Sequence, residues 1–277
     1  MALRWSRRSF FGFTPGLSAL GVSAMATRAW GQTAPPSSLQ PPADAFPAQD
    51  PELARATVGA SHRDLKQVQA LVERQPALAR AAIDWGFGDW EACLDAASHT
   101  GNKAIADYLL TNGARPTIFS AAMMGQLDVV KAFVAARPGL QRNLGPHGLT
   151  LMWHAVKGGA DALPVVQYLT GVGDADVSPT TVPLDVADRA TLVGTYTYGP
   201  GPRDHFTIEV RRDMLGRDQL TIERSGAPSR QNLYHVGNLV FFPTGVPSAK
   251  IAFAQDGTKI TQLTVADPSV MLTARRD

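Results

Sequence analysis

Three stretches of this chain repeat one helical pattern, and that repetition limits the fold more than any single residue does. The clearest copy runs from Ala122 through Gly125, Leu127, Val129 and Val130 to Val134: a small residue, a glycine turn, then an apolar stripe. Ala97 to Leu110 repeats it with Gly101, Ile105, Ala106 and Leu109, and Ala60 to Val72 repeats it with Leu65, Val68 and Leu71. A helical hairpin this short cannot bury its apolar face alone, but stacked neighbours can. The expected product is an elongated helical scaffold with a continuous side surface for a protein or peptide partner.

The period changes after Thr180. His205-Phe206-Thr207-Ile208-Glu209-Val210-Arg211 alternates strictly, which places Phe206, Ile208 and Val210 on one face of a strand. Similar runs occupy 192–198, 219–224, 231–236, 238–242, 249–254, 259–265 and 270–275, separated by short Gly-, Pro- and Asp-rich turns. Eight short strands in simple succession suggest a small antiparallel barrel, which leaves no open edge. Barrels of this size have room for side chains or for one small ligand. Phe241, Phe253 and Leu263 are the expected lining, with Tyr196 and Tyr198 at the mouth of any cavity. The fold class is therefore α + β in separate domains: a helical solenoid over 51–175, a join at 176–189 and a barrel over 190–277.

The repeat region carries a family likeness. Gly125 to Gly158 spans the 33-residue period of ankyrin repeats, and Gly148-Leu149-Thr150-Leu151-Met152-Trp153-His154-Ala155 resembles that family's G-x-T-P-L-H-x-A. Leu151 replaces the proline and Trp153 the histidine. The likeness implies that Thr150 caps a helix and that Trp153 acts by packing. The shorter step from Gly101 to Gly125 leaves no room for a projecting loop. The C-terminal runs Leu192-Val193-Gly194-Thr195-Tyr196 and Leu239-Val240-Phe241-Phe242-Pro243 are similar to the lipocalin-like domain appended to serine hydrolases of the β-lactamase type. No S-x-x-K or G-x-S-x-G nucleophile motif accompanies them, so no catalytic role is carried over.

Upstream of the repeats, Ser6-Arg7-Arg8-Ser9-Phe10-Phe11 resembles the twin-arginine export signature. Residues 1–31 read as a signal peptide, with Arg7 and Arg8 as its motif and a cut before Gln32 or earlier, after Ala26. Residues 32–50, rich in proline, read as a disordered tether. The implied location is the periplasm or the extracellular space, with membrane contact only during export. The first 31 residues hold four arginines and no acid, so without them the formal charge of +2 becomes slightly negative. A near-neutral body has no electrostatic footprint for nucleic acid.

Recognition residues are sought in the aromatic loop Asp84-Trp85-Gly86-Phe87-Gly88-Asp89-Trp90 and in the neighbouring turn with Pro146 and His147. Trp85, Phe87 and Trp90 are either a recognition patch or, for Trp90 and Phe87, plugs in the core that leave Trp85 exposed. The single Cys93 lies in apolar helical context and reads as a buried small hydrophobe. Six histidines are scattered through both regions, none in an i, i+4 pair or an H-E-x-x-H pattern. By spacing alone the chain offers no metal site, cofactor or catalytic residue. The expected function is a non-catalytic exported binding protein; the alternative is an enzyme, or an enzyme accessory, taking a small apolar ligand in the barrel.

Overall fold

A computed structural model describes residues 47–277 apart from 214, 215, 228 and 269, so the export signal with Arg7 and Arg8 lies outside the described residues. The chain first forms paired helices: α1 (Pro51–Ser61) with α2 (Leu65–Arg74), α3 (Cys93–Thr100) with α4 (Lys103–Thr111), α5 (Ile118–Met123) with α6 (Leu127–Ala136), and α7 (Leu151–Lys157) with α8 (Leu163–Val172). Local chemistry sets where these helices start. Asp64 accepts from the Gln67 amide at 3.0 Å, Thr117 from Ser120 at 3.1 Å and Thr150 from Trp153 at 3.1 Å, each meeting an amide that the first turn leaves unpaired.

The first helices of successive pairs pack on each other, α1 on α3, α3 on α5 and α5 on α7. The glycines of the repeated pattern explain how closely. A Cβ on Gly101 would stand 2.5 Å from the Lys157 carbonyl, and one on Gly125 would stand 2.4 Å from the Asp161 carbonyl. Both residues also have positive φ, 76° and 72°, so glycine alone fits without strain. One contact departs from serial stacking: α3 also touches α7. Two apolar clusters fill this region, one centred on Val68, Leu94 and Leu109, the other on Val130, Leu151 and Leu169.

A short antiparallel hairpin interrupts the helices. Strand β1 (Ala82–Asp84) pairs with β2 (Trp90–Ala92), with Ile83 opposite Glu91. The segment 176–189, read as a plain join, ends in helix α9 (Val186–Leu192), whose Leu192 enters the barrel core.

Strands β3 (Gly194–Thr197), β4 (His205–Arg212), β5 (Asp218–Arg224), β6 (Gln231–Gly237), β7 (Val240–Pro243), β8 (Lys250–Asp256), β9 (Lys259–Asp267) and β10 (Val270–Arg276) form a closed antiparallel barrel in sequence order. Alternation sends one face inward. Tyr196 and Phe241 each meet Phe253 edge to face, at 5.6 and 5.5 Å, and Ile208, Ile222 and Leu263 are buried beside them. Tyr196 is not at a mouth: it lies in the middle of a strand, wholly buried, and its hydroxyl donates to the Leu192 carbonyl at 2.8 Å. Tyr198, two residues on, sits at the rim against Phe206, its hydroxyl accepting from the Arg224 guanidinium at 2.9 Å. Among the described residues no helix is long and apolar enough to cross a membrane.

Candidate metal centre

Period-two alternation in β2 decides the placement of the central residue. Trp90 points out, 63% exposed, and Glu91 points in, fully buried. A buried carboxylate needs charged or donating partners, because its bare charge is too costly to remove from water. Glu91 has them on every side. The Trp85 indole N–H donates to Oε2 at 2.7 Å. Around Oε1 stand the Nε2 atoms of His99 at 2.8 Å, His147 at 3.3 Å and His62 at 3.6 Å. One donor atom from each of these four residues lies within 4.8 Å of all the others.

Different elements deliver the three imidazoles. His62 caps the end of α1, His99 sits in the last turn of α3, and His147 occupies a turn before α7 with φ of 60°. Their rings meet edge to face, His62 with His99 at 5.0 Å and His99 with His147 at 5.3 Å. Outer partners orient them. His62 Nδ1 faces the Val58 and Gly59 carbonyls at 3.1 and 3.2 Å, which orients the ring with Nε2 towards Glu91. His147 Nδ1 donates to Asp89 Oδ2 at 2.7 Å, and its backbone N–H donates to Asp89 Oδ1 at 2.8 Å. A carboxylate on the far nitrogen of an imidazole, and an indole fixing the spare oxygen of a carboxylate, are the outer-shell contacts that orient metal ligands.

The charges follow. Burial alone would raise the Glu91 carboxyl, but hydrogen bonds from His147 and His99, with the charge of His147, prevail and hold it at about 2. Burial works against a charged His147, yet its bonds to Asp89 and Glu91 lift it to about 10. Both shifts favour the ion pairs of His147 with Asp89 and Glu91. Cys93, nearby in sequence, is fully buried and its thiol is pushed by burial to about 12, so it offers no thiolate ligand.

The residues singled out from sequence are distributed as follows. His147 joins the cluster, and Pro146 is buried beside it. Trp85 packs on the first helical cluster and is committed to Glu91, while Phe87 packs against the barrel core, so neither stands free as an aromatic patch; Trp90 does. Phe241, Phe253 and Leu263 fill the barrel with Tyr196. Neither His62, Glu91 nor His99 stands in a metal motif, because motif spacing searches one element at a time. The repeat register held the missing signal: His62 and His99 lie one and two residues before Arg63 and Gly101, the equivalent turn positions, so they end adjacent helices on the same side.

Neither a protein-family model nor a curated protein sequence matches this chain.

Proposed function

We propose that this protein binds one divalent transition-metal ion through His62, Glu91, His99 and His147. The observation that carries the reading is the convergence of four donor atoms within 4.8 Å, three of them imidazole nitrogens aimed at one carboxylate oxygen. Donors about 2.0–2.1 Å from one ion stand about 2.9 Å apart at right angles and about 3.3 Å apart when tetrahedral. The distances from Glu91 Oε1, 2.8, 3.3 and 3.6 Å, bracket those edges. Three imidazoles with one carboxylate suit zinc, copper, iron or nickel rather than calcium or magnesium, which prefer oxygen cages. With Oε2 held by Trp85, Glu91 offers Oε1 as a single ligand atom. The test is calorimetric titration of chelator-stripped protein with Zn²⁺, Ni²⁺ and Co²⁺. One site per chain, bound more weakly by His99→Ala, supports the reading; equal affinity in wild type and His99→Ala overturns it.

A second reading retains a partner-binding role beside the metal. It is favoured by Trp90, which stands 63% exposed at the edge of a groove of about 490 Å³ lined by Arg55, Leu78 and Ile83. On this reading the helical pairs are an ankyrin-like platform, as the Thr150 cap and the Gly125–Gly158 period support, the barrel is a lipocalin-like accessory, and the twin-arginine signal exports the folded, loaded protein. Capture of a protein from the envelope fraction by wild type and equally by Trp90→Ala counts against this groove.

A further inference from the structure

The two outer partners of the metal centre, Trp85 and Asp89, lie in the loop between β1 and β2, and both are held in place from the barrel. The Trp85 carbonyl accepts from Ser229 Oγ at 2.8 Å and from Gln231 Nε2 at 2.9 Å, and the two side chains brace each other at 3.1 Å. Gln231 opens β6 and is nearly fully buried. Between the two outer partners, Phe87 adopts a φ of 58° and packs against the barrel core. Gly245, in the turn after β7, lies on Asp89 so closely that a Cβ there would stand 2.3 Å from Oδ1. Its backbone also abuts Gly148, next to His147: a Cβ on Gly148 would stand 3.4 Å from the Gly245 Cα.

From these contacts we infer that the barrel is the outer shell of the metal centre, with Gln231, Ser229 and Gly245 as positioning residues for the ion. The inference rests on the metal reading and extends it from four ligands to the second structural region. Physically, Ser229 and Gln231 fix the Trp85 backbone, and through it the indole that leaves only Oε1 of Glu91 to the metal. Gly245 covers Asp89 and keeps water from the carboxylate that sets the His147 ring. Its φ of 74° and the contact with Asp89 both select glycine. None of the four named ligands comes from the barrel, yet ion affinity depends on it.

Co²⁺ serves as the probe, with affinity read by competition against a chromophoric chelator and geometry read from the visible ligand-field bands. Wild type is compared with Gly245→Ala, Gln231→Leu, Asp89→Ala and the Gly245→Ala/Asp89→Ala double variant, each checked for folding by circular dichroism. Loss of an outer partner is expected to weaken Co²⁺ binding about 10–100-fold and to shift the bands. Because Gly245 acts through Asp89, the double variant is expected to bind no more weakly than Asp89→Ala alone, the non-additivity of coupled residues. Should Gly245→Ala fail to fold, Gln231→Leu decides through Trp85. Wild-type binding with unchanged affinity and bands in the folded barrel variants overturns this inference and leaves the metal reading intact. A wild type that takes up no Co²⁺ overturns both.

Discussion

Acidification should destabilise this protein through one buried side chain, His154. The ring is wholly inaccessible, tilts against Phe119 at 4.8 Å and places Nδ1 2.8 Å from the Thr150 carbonyl. Nδ1 therefore carries the proton, and the buried Nε2 has no hydrogen-bond partner among the described residues. Charging this ring would bury an unpaired cation, so burial lowers its pKa from 6.5 to about 4. Between those values the unfolded chain binds a proton that the folded chain refuses. Stability therefore rises with pH across the window, is complete above about 6.5, and is lost as pH falls towards about 4. At about 1.4 kcal/mol per pKa unit the loss is about 3 kcal/mol. Urea denaturation followed by far-ultraviolet circular dichroism at a series of pH values measures it. His154→Asn keeps a donor for Thr150 but cannot titrate, so its stability should fall by about 3 kcal/mol less than wild type over the same window. An unchanged pH slope in His154→Asn would refute the reasoning, because other groups would then own the acid sensitivity.

Four further outcomes follow from the geometry. Glu91→Gln keeps the shape but removes the buried charge: metal affinity should fall more than about 100-fold, beyond the loss of an outer partner, while chelator titration of a folded variant reads the effect. The same change should destabilise the metal-free protein by about 3–5 kcal/mol, since His147 loses a buried charge partner, as a lowered urea midpoint would register. Tyr196→Phe leaves the Leu192 carbonyl unmet inside the barrel and should cost about 1–3 kcal/mol in the same assay. Trp90→Ala should change stability by no more than about 0.5 kcal/mol, because the side chain projects into solvent; a larger loss would mean that it packs.

The barrel was legible in the sequence because each strand buries one face and exposes the other. Phe206 and Ile208 go in, Thr207 and Glu209 go out, and that alternation survives whatever partner the strand finds. A helix start was legible where a side chain does the capping, as at Thr150. What patterning cannot convey is which buried faces meet. The contact of α3 with α7 brings the Lys157 carbonyl against Gly101 from far along the chain, which the repeat pattern does not record. The hairpin around Glu91 was hidden because strands of three residues give no period. The metal centre was hidden for the same reason at larger scale: its ligands come from a helix end, a strand, a second helix end and a turn. Only the repeat register, which puts His62 and His99 near the ends of corresponding helices, pointed towards it, and it left Glu91 and His147 unassigned.

The central claim is that His62, Glu91, His99 and His147 close on one ion. X-ray absorption at the zinc edge of Zn²⁺-loaded protein tests it most directly. The account expects a first shell of nitrogen and oxygen at about 2.0–2.1 Å with multiple scattering from three imidazoles. Scattering from two rings is expected in His99→Ala. A shell of oxygen alone, or imidazole scattering that survives the loss of His99 unaltered, would contradict it.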